Sequence, residues 1–178
     1  MKILKVVLII LAILASAALF FRFYYTKSFS PSATAEYAKN GLSITIDYCQ
    51  PSKKGRLIFG EQSTKALVPY GKWWRTGANE ATVIKFSKDV LFAGKPLKAG
   101  TYTLFTIPEK TDWTAIINSE VGQWGLSYND KKDVLRVPVP AIQQTDSAEQ
   151  FTIDFNEKPE GVDIILRWDT TKVIIPVK

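Results

Sequence analysis

The chain contains no histidine and one cysteine, Cys49, among its 178 residues. Without histidine, the Ser-His-Asp and Cys-His catalytic arrangements and the usual histidine-containing metal sites are excluded. One cysteine cannot form an internal disulfide, and a cysteine zinc site needs more ligands. Cys49 is therefore interpreted as a small buried apolar residue rather than a reactive thiol. No metal and no cofactor is expected.

A strong excess of positive charge is also lacking in the main part of the chain. The formal net charge of +6 includes Lys2, Lys5, Arg22 and Lys27, which flank an apolar run at the N-terminus. The rest of the chain has 19 basic and 17 acidic residues. Domains that bind nucleic acid usually carry a basic face, so nucleic acid is not an expected partner.

A long apolar run occurs at the N-terminus, from Val6 to Phe21. With the apolar residues just before it, the run approaches the ~20 residues that cross a bilayer. Residues 1–25 therefore predict a membrane anchor, inserted through residues 3–23, or a signal peptide cleaved near the "ASA" at 15–17. The lysines before the run favour a cytoplasmic N-terminus, which places the rest of the chain across the membrane.

After the N-terminal run, no long segment shows the 3.6-residue period of a helix. The small polar segment 26–40 is interpreted as a linker, and residues 41–178 as a single domain. In "LSITIDY" (42–48) apolar and polar residues alternate, which is typical of a half-buried strand. Further short strands are predicted at 81–87, 90–97, 101–107, 112–118, 133–139, 150–155, 162–168 and 172–177.

This spacing of short strands predicts an all-β fold, an antiparallel β-sandwich or a jelly-roll-like barrel. Pro138, Pro140 and Pro176 place their strands towards sheet edges, because proline cannot donate a hydrogen bond to a neighbouring strand.

The segment "KWWRTGANEAT" (72–82) holds the most unusual group of side chains. Gly77 is expected to take a positive φ, and Asn79 to close an Asx-turn onto its own backbone. Arg75 and Glu80 lie on either side of that turn and could form an ion pair. Adjacent strand residues point to opposite sides, so one of the two tryptophans faces the core; we place Trp74 on the surface beside Arg75.

Two other stretches carry candidate site residues. In "DYCQPSKKGRLIFG" (47–60), Lys53, Lys54 and Arg56 are either solvated loop charges or one wall of an anion-binding pocket. In "DWTAIINSEVGQWGLSY" (112–128), Trp113 and Trp124 are the candidates.

These stretches carry a resemblance to a known family. The motifs "PS-x-KGR-x-IFG", "LVPYGKWWRTGANEATVIKFSKDV", "GKPLKAGTYTLFTIP" and "QWG" resemble the bacterial domain-of-unknown-function family 2911, from about residue 30 to the C-terminus. The family has no established activity to carry over. Its members look like exported proteins, which implies a bacterial cell-envelope location: an inner-membrane single-pass anchor with the domain on the periplasmic or extracytoplasmic side, or a secreted protein after cleavage. Gln50 stands where an arginine is common in the family.

Three functions remain open from the residues. The first is a membrane-tethered, non-enzymatic module that binds a small ligand or an envelope protein. The second is a hydrolase or isomerase in which Glu80 is the general base and Arg75 or Arg56 stabilises an anion. The third is a structural envelope protein in which a polar turn only braces the fold. The ligand-binding candidates are Arg56, Trp74, Arg75, Asn79, Glu80, Trp113 and Trp124.

Overall fold

The structure is a computed structural model that describes residues 2–178. Helix α1 (Lys2–Phe20) continues through a π-helical turn (Phe21–Tyr25) into the short helix α2 (Thr26–Phe29). The helical segment Ile3–Phe29 contains an 18-residue window with a mean hydropathy of 2.8, and none of that window is buried inside the protein. It is long and apolar enough to cross a membrane, which confirms the predicted N-terminal apolar helix. A signal sequence has the same character.

Strands make up most of the remaining chain, and nearly all of them pair antiparallel, so the predicted all-β class is confirmed. The eleven strands between residues 32 and 177 are β1 (Ser32–Lys39), β2 (Leu42–Cys49), β3 (Phe59–Gly60), β4 (Val68–Pro69), β5 (Thr82–Phe86), β6 (Val90–Phe92), β7 (Lys95–Leu97), β8 (Gly100–Ile107), β9 (Asp112–Asn118), β10 (Asp133–Lys158) and β11 (Gly161–Val177). Short 3-10 helices occur at Gln62–Thr64 and Asp130–Lys132.

Nine of these strands form one sheet in the order β1-β2-β5-β8-β9-β10-β11-β6-β7, and β3 pairs with β4 in a separate parallel ribbon. The long strand β10 connects two parts of the sheet, because it pairs with β9 up to Pro140 and with β11 from Ala141 onwards. The two parts face each other: Tyr48 of β2 packs edge-on against Phe151 of β10, with ring centroids 5.7 Å apart. This layered arrangement is consistent with the predicted sandwich.

The core lies between these two parts of the sheet, and strand β2 illustrates why it forms. Leu42, Ile44 and Ile46 are buried, whereas Ser43 and Asp47 on the opposite face are exposed. This alternation places every second side chain against the facing layer, where burial of each one contributes about 1.5–3 kcal/mol.

The interpretation of residues 26–40 as a linker is wrong for residues 32–39, which form β1 and pair with β2 along their whole length. Ala33, Ala35 and Tyr37 are half-buried on one face, and Tyr37 packs against Phe155 at 5.7 Å between ring centroids. The segment has the period of a strand, but small alanines carry most of its apolar positions, so the alternation is weak in sequence.

The prolines lie where they were predicted, at positions with a neighbouring strand on one side. Pro138 and Pro140 belong to the part of β10 that pairs with β9, and Pro176 to the end of β11, beyond its pairing with β10 and beside β6. The two strands predicted at 133–139 and 150–155 are one strand, because the polar residues between them stay extended through register shifts after Gln143 and Ala148.

Candidate ligand-binding site

The segment 72–82 enters the fold through the backbone of Trp74, whose N–H and C=O both bond to Thr106 of β8, at 2.7 and 3.0 Å. As expected for adjacent extended residues, the two tryptophans point to opposite sides. Their assignment is reversed, however. Trp74 is 7% exposed and lies in the core, whereas Trp73 is 38% exposed and packs on Phe105 and Tyr128.

Trp74 belongs to a cluster of aromatic rings. It stacks on Trp168 with ring centroids 5.7 Å apart, and its indole N–H donates to the carbonyl of Gly77 at 3.0 Å. Trp113 lies deeper in the same cluster, 2% exposed, with its indole N–H bonded to the carbonyl of Glu109 at 3.0 Å. The placement of Trp113 at a binding surface is therefore wrong; its side chain is part of the core.

The turn after Trp74 is built differently from the prediction. Thr76 and Asn79 adopt the left-handed conformation, with φ of 51° and 59°, whereas Gly77 does not. Gly77 is needed for close approach instead: a Cβ there would lie 3.1 Å from both the carbonyl oxygen of Cys49 and the hydroxyl of Thr82. The Thr82 hydroxyl also donates to the carbonyl of Thr76 at 2.7 Å, which fixes the turn from inside.

This turn separates Arg75 from Glu80, so the predicted ion pair between them is wrong. The Arg75 guanidinium donates to the carbonyl of Asn79 at 3.2 Å, and its side chain lies over Gly125. The Glu80 carboxylate instead accepts a hydrogen bond from Lys27 Nζ at 2.6 Å. The two left-handed residues turn the chain so that Glu80 faces the N-terminal helical segment, where Lys27 supplies the cation.

The Asn79 side chain also bonds outside its own turn. Its amide Nδ2 donates to the carbonyls of Ser30 and Thr26, at 3.3 and 3.5 Å. The predicted Asx-turn is wrong, because no backbone N–H among residues 3–178 donates to the side-chain oxygen of Asn79. Asn79 connects the turn to the end of α2.

A cavity of about 450 Å³ lies between this turn, the loop before β3, the start of β4 and the end of α2. Four of the seven candidate residues line it: Arg56, Trp74, Arg75 and Asn79. The lining also includes Lys54, Phe29, Leu67 and Trp168. It contains three basic side chains and no aspartate or glutamate.

Arg75 is the most constrained of the three basic side chains. It is half-buried, and this burial lowers the pKa of its guanidinium below the usual value. Among residues 3–178, no carboxylate lies within ion-pair distance of Arg75. A desolvated charge without a counter-charge is unfavourable in a fold.

Arg56 and Lys54 stand at the exposed side of the cavity. The Arg56 side chain donates to the carbonyls of Lys53, at 2.9 Å, and Ser52, which holds it against its own loop. The ammonium of Lys54 lies over the ring of Phe29, 5.1 Å from its centroid. Both side chains line the cavity, as one of the two alternatives for these loop charges requires. Lys53 is excepted, because it pairs with Asp169 at 2.6 Å.

Glu80 and Trp124 contact the N-terminal helical segment and do not line the cavity. Burial alone would raise the pKa of the Glu80 carboxyl, but the hydrogen bond from Lys27 holds that pKa below its ordinary value. The Arg22 guanidinium lies over the ring of Trp124, 4.9 Å from its centroid. Cys49 is buried as predicted, 3.2 Å from Lys27 Nζ.

Sequence reasoning missed Trp168, Phe29 and Leu67 in the lining of the cavity, and Gly125 beneath Arg75. Trp168 ends a predicted strand and carries no local sign of a site. Phe29 lies in the segment interpreted as a linker. Gly125 follows Trp124 in "QWG" and leaves room for Arg75: a Cβ at Gly125 would lie 2.2 Å from Arg75 Cδ. For Gly125, the available signal in the sequence was its position beside Trp124, a candidate aromatic residue.

A protein-family model matches residues 30–177, and its description is "Protein of unknown function (DUF2911)". No curated protein and no solved structure matches the chain. The family match begins at Ser30, the residue that accepts the Asn79 amide, and covers every strand.

Proposed function

Because the chain belongs to the DUF2911 family of proteins of unknown function, we propose its function from the cavity alone. The protein is a membrane-tethered module of the bacterial cell envelope, facing the periplasmic or extracytoplasmic side. Its cavity binds a small ligand that carries an anionic group, a carboxylate or a phosphate, on an apolar body.

The observation that carries this proposal is the half-buried Arg75 guanidinium without a carboxylate partner among the described residues. Within the described part of the chain, its one hydrogen bond is to the carbonyl of Asn79. A guanidinium has five N–H donors in a planar arrangement that matches two oxygens of a carboxylate or phosphate. An anion in the cavity would use the donors that remain and would compensate the buried charge.

The rest of the lining supports an amphipathic ligand. Trp74, Trp168 and Leu67 provide apolar surface next to Arg75 and Arg56. The cavity volume of about 450 Å³ lies within the range of about 300–1,000 Å³ that is common for small-molecule sites. Aromatic walls around a few polar groups are typical of such sites.

The same geometry argues against the carboxylate-based enzyme. That hypothesis needs Glu80 beside Arg75 or Arg56, but the Glu80 carboxylate is paired with Lys27 outside this cavity. A general base must reach the proton it removes, and none of the cavity's lining residues is an aspartate or glutamate. Binding without catalysis is therefore the proposal that the cavity supports best.

The test is a thermal unfolding measurement on the full chain in a non-ionic detergent. Hexyl phosphate is expected to raise the unfolding temperature, whereas uncharged hexanol is not, because a ligand that binds the native state stabilises it. Arg75→Gln should remove the effect. Arg136→Gln, the same substitution at an exposed arginine that does not line the cavity, should keep it. Equal stabilisation of both variants, or none of the wild type, would contradict the proposal.

A further inference from the structure

We infer that the anion bound in this cavity is the phosphate headgroup of an anionic phospholipid, taken from the membrane that the N-terminal helix spans. This inference rests on the proposed binding function and adds the source of the ligand. It follows from where the helix places the cavity, from the contacts that hold it there, and from the side chains around the opening.

The N-terminal helix sets the height of the cavity above the membrane. Arg22 is the first charged residue after the apolar run, so it marks the end of the hydrocarbon region. Phe29, which lines the cavity, lies about 10 Å further along the helix axis at about 1.5 Å per residue. The headgroup region of one leaflet is about 5–7 Å deep. The cavity therefore begins about 3–5 Å beyond the headgroup region.

Several contacts fix the end of the helical segment to the β-sheet domain, and three of them are spread along it. Lys27 pairs with Glu80 at 2.6 Å, and Asn79 Nδ2 donates to the carbonyl of Ser30 at 3.3 Å. Nearer the membrane, the Arg22 guanidinium lies over the ring of Trp124, 4.9 Å from its centroid. These contacts span two turns of the helix. They hold the cavity at the end of the anchor instead of letting it move away on a flexible linker.

The opening of the cavity has the side chains of a membrane-interface surface. Leu67 lines the cavity and is 45% exposed; the neighbouring Leu57, whose carbonyl accepts the Leu67 N–H at 3.0 Å, is 48% exposed. Lys54 and Arg56 line the same cavity and are exposed. Exposed leucines beside cations are typical of surfaces that lie on anionic lipids.

The chemistry of the lining fits a lipid phosphate. A phosphodiester keeps two oxygens that can accept the paired N–H donors of Arg75. The cavity then needs to hold the headgroup and part of the glycerol, while the acyl chains stay in the bilayer. Three cations without an acid in the lining would discriminate against zwitterionic headgroups, whose own cation they repel.

The experiment uses the full chain in non-ionic detergent and compares three additives by their effect on the unfolding temperature. The additives are dioleoylphosphatidylglycerol, dioleoylphosphatidylcholine and soluble glycerol 3-phosphate. We expect phosphatidylglycerol to raise the unfolding temperature by several degrees and the other two to leave it nearly unchanged. Arg75→Gln should remove the rise, and Lys95→Gln, at an exposed lysine in the last strand of the sheet order, should retain it. If Arg75→Gln does not fold, Arg56→Gln replaces it and should reduce the rise.

Each other result overturns the inference in a distinguishable way. If glycerol 3-phosphate stabilises as well as phosphatidylglycerol and Arg75→Gln removes both effects, the cavity binds a soluble anion. The proposed function then stands and the lipid source is wrong. If phosphatidylcholine stabilises equally, the cavity does not recognise net charge. If no additive acts, or all act equally on wild type and variants, both the lipid source and the binding function fail.

Discussion

Lys27 Nζ lies 2.6 Å from Glu80 Oε2, although the two residues are 53 positions apart in the chain. This contact joins the end of the N-terminal helical segment to the turn that carries Arg75. The two charged side chains of the turn therefore face different parts of the protein. Glu80 holds the helical segment, and Arg75 faces the cavity.

The pair should stabilise the fold as a unit. We expect Lys27→Met and Glu80→Gln each to lower the free energy of unfolding by about 1.5–3 kcal/mol, the range for hydrogen bonds to charged groups, because both side chains are half-buried. The double variant should lose much less unfolding free energy than the sum of the two single losses, as measured by urea unfolding in a double-mutant cycle. The matched control is Lys98–Asp89, a pair of similar length that is more exposed, whose coupling should be clearly weaker. Additive losses at Lys27 and Glu80 would contradict the pairing.

The same contact predicts how stability depends on pH. The pKa of Glu80 is lowered in the folded protein, so its stabilising contribution is fully present above the unfolded pKa and is lost as the pH falls through the folded pKa. The difference in unfolding free energy between wild type and Glu80→Gln should therefore be largest near neutral pH and shrink from about pH 5 downwards. Denaturant unfolding at a series of pH values measures it. If the difference in unfolding free energy stays constant across this pH range, folding does not shift the pKa of Glu80.

The two adjacent tryptophans should differ sharply in their effect on stability. Trp74→Ala removes a buried ring that packs on Trp168 and Phe151, and we expect a loss of about 3–5 kcal/mol. Trp73→Ala removes a ring that is 38% exposed and should cost clearly less. Urea unfolding of both variants measures the difference. Equal losses would mean that the two rings are similarly buried.

Gly125 should control the position of Arg75. In Gly125→Ala the new Cβ would lie 2.2 Å from Arg75 Cδ and 2.9 Å from its Cβ, so the guanidinium must move. Hexyl phosphate should then bind at least ~10-fold more weakly, a loss of about 1.4 kcal/mol, when measured by titration of the full chain. Ser127→Ala, at a nearby exposed position, is the control and should bind like the wild type. If Gly125→Ala binds hexyl phosphate as tightly as the wild type, Arg75 does not contact the ligand.

Much of the fold could be predicted from local sequence. The alternation in 42–48 identified β2, and the prolines identified positions that pair with a neighbouring strand on one side. Strand β1 was missed because alanines occupy most of its apolar positions, so its apolar and polar faces differ little in hydrophobicity. In each correct prediction the signal lay within the segment itself.

The site was harder to predict, because its key contacts join distant segments. Arg75, Asn79 and Arg56 line one cavity, and the sequence could group them because they lie in two short motifs with unusual residues. Glu80 was paired with the wrong cation because nothing in "WRTGANE" indicates that Lys27 lies beside it. Trp168 reaches the cavity through the pairing of β10 with β11, which no local pattern reveals.

The most direct test of the cavity is a crystal structure of the full chain with hexyl phosphate bound. We predict the phosphate at Arg75, with its oxygens about 3 Å from the guanidinium nitrogens, and the alkyl chain against Trp74 and Trp168. Density for the phosphate at another surface, with Arg75 still bonded only to the carbonyl of Asn79, would contradict an anion site in this cavity.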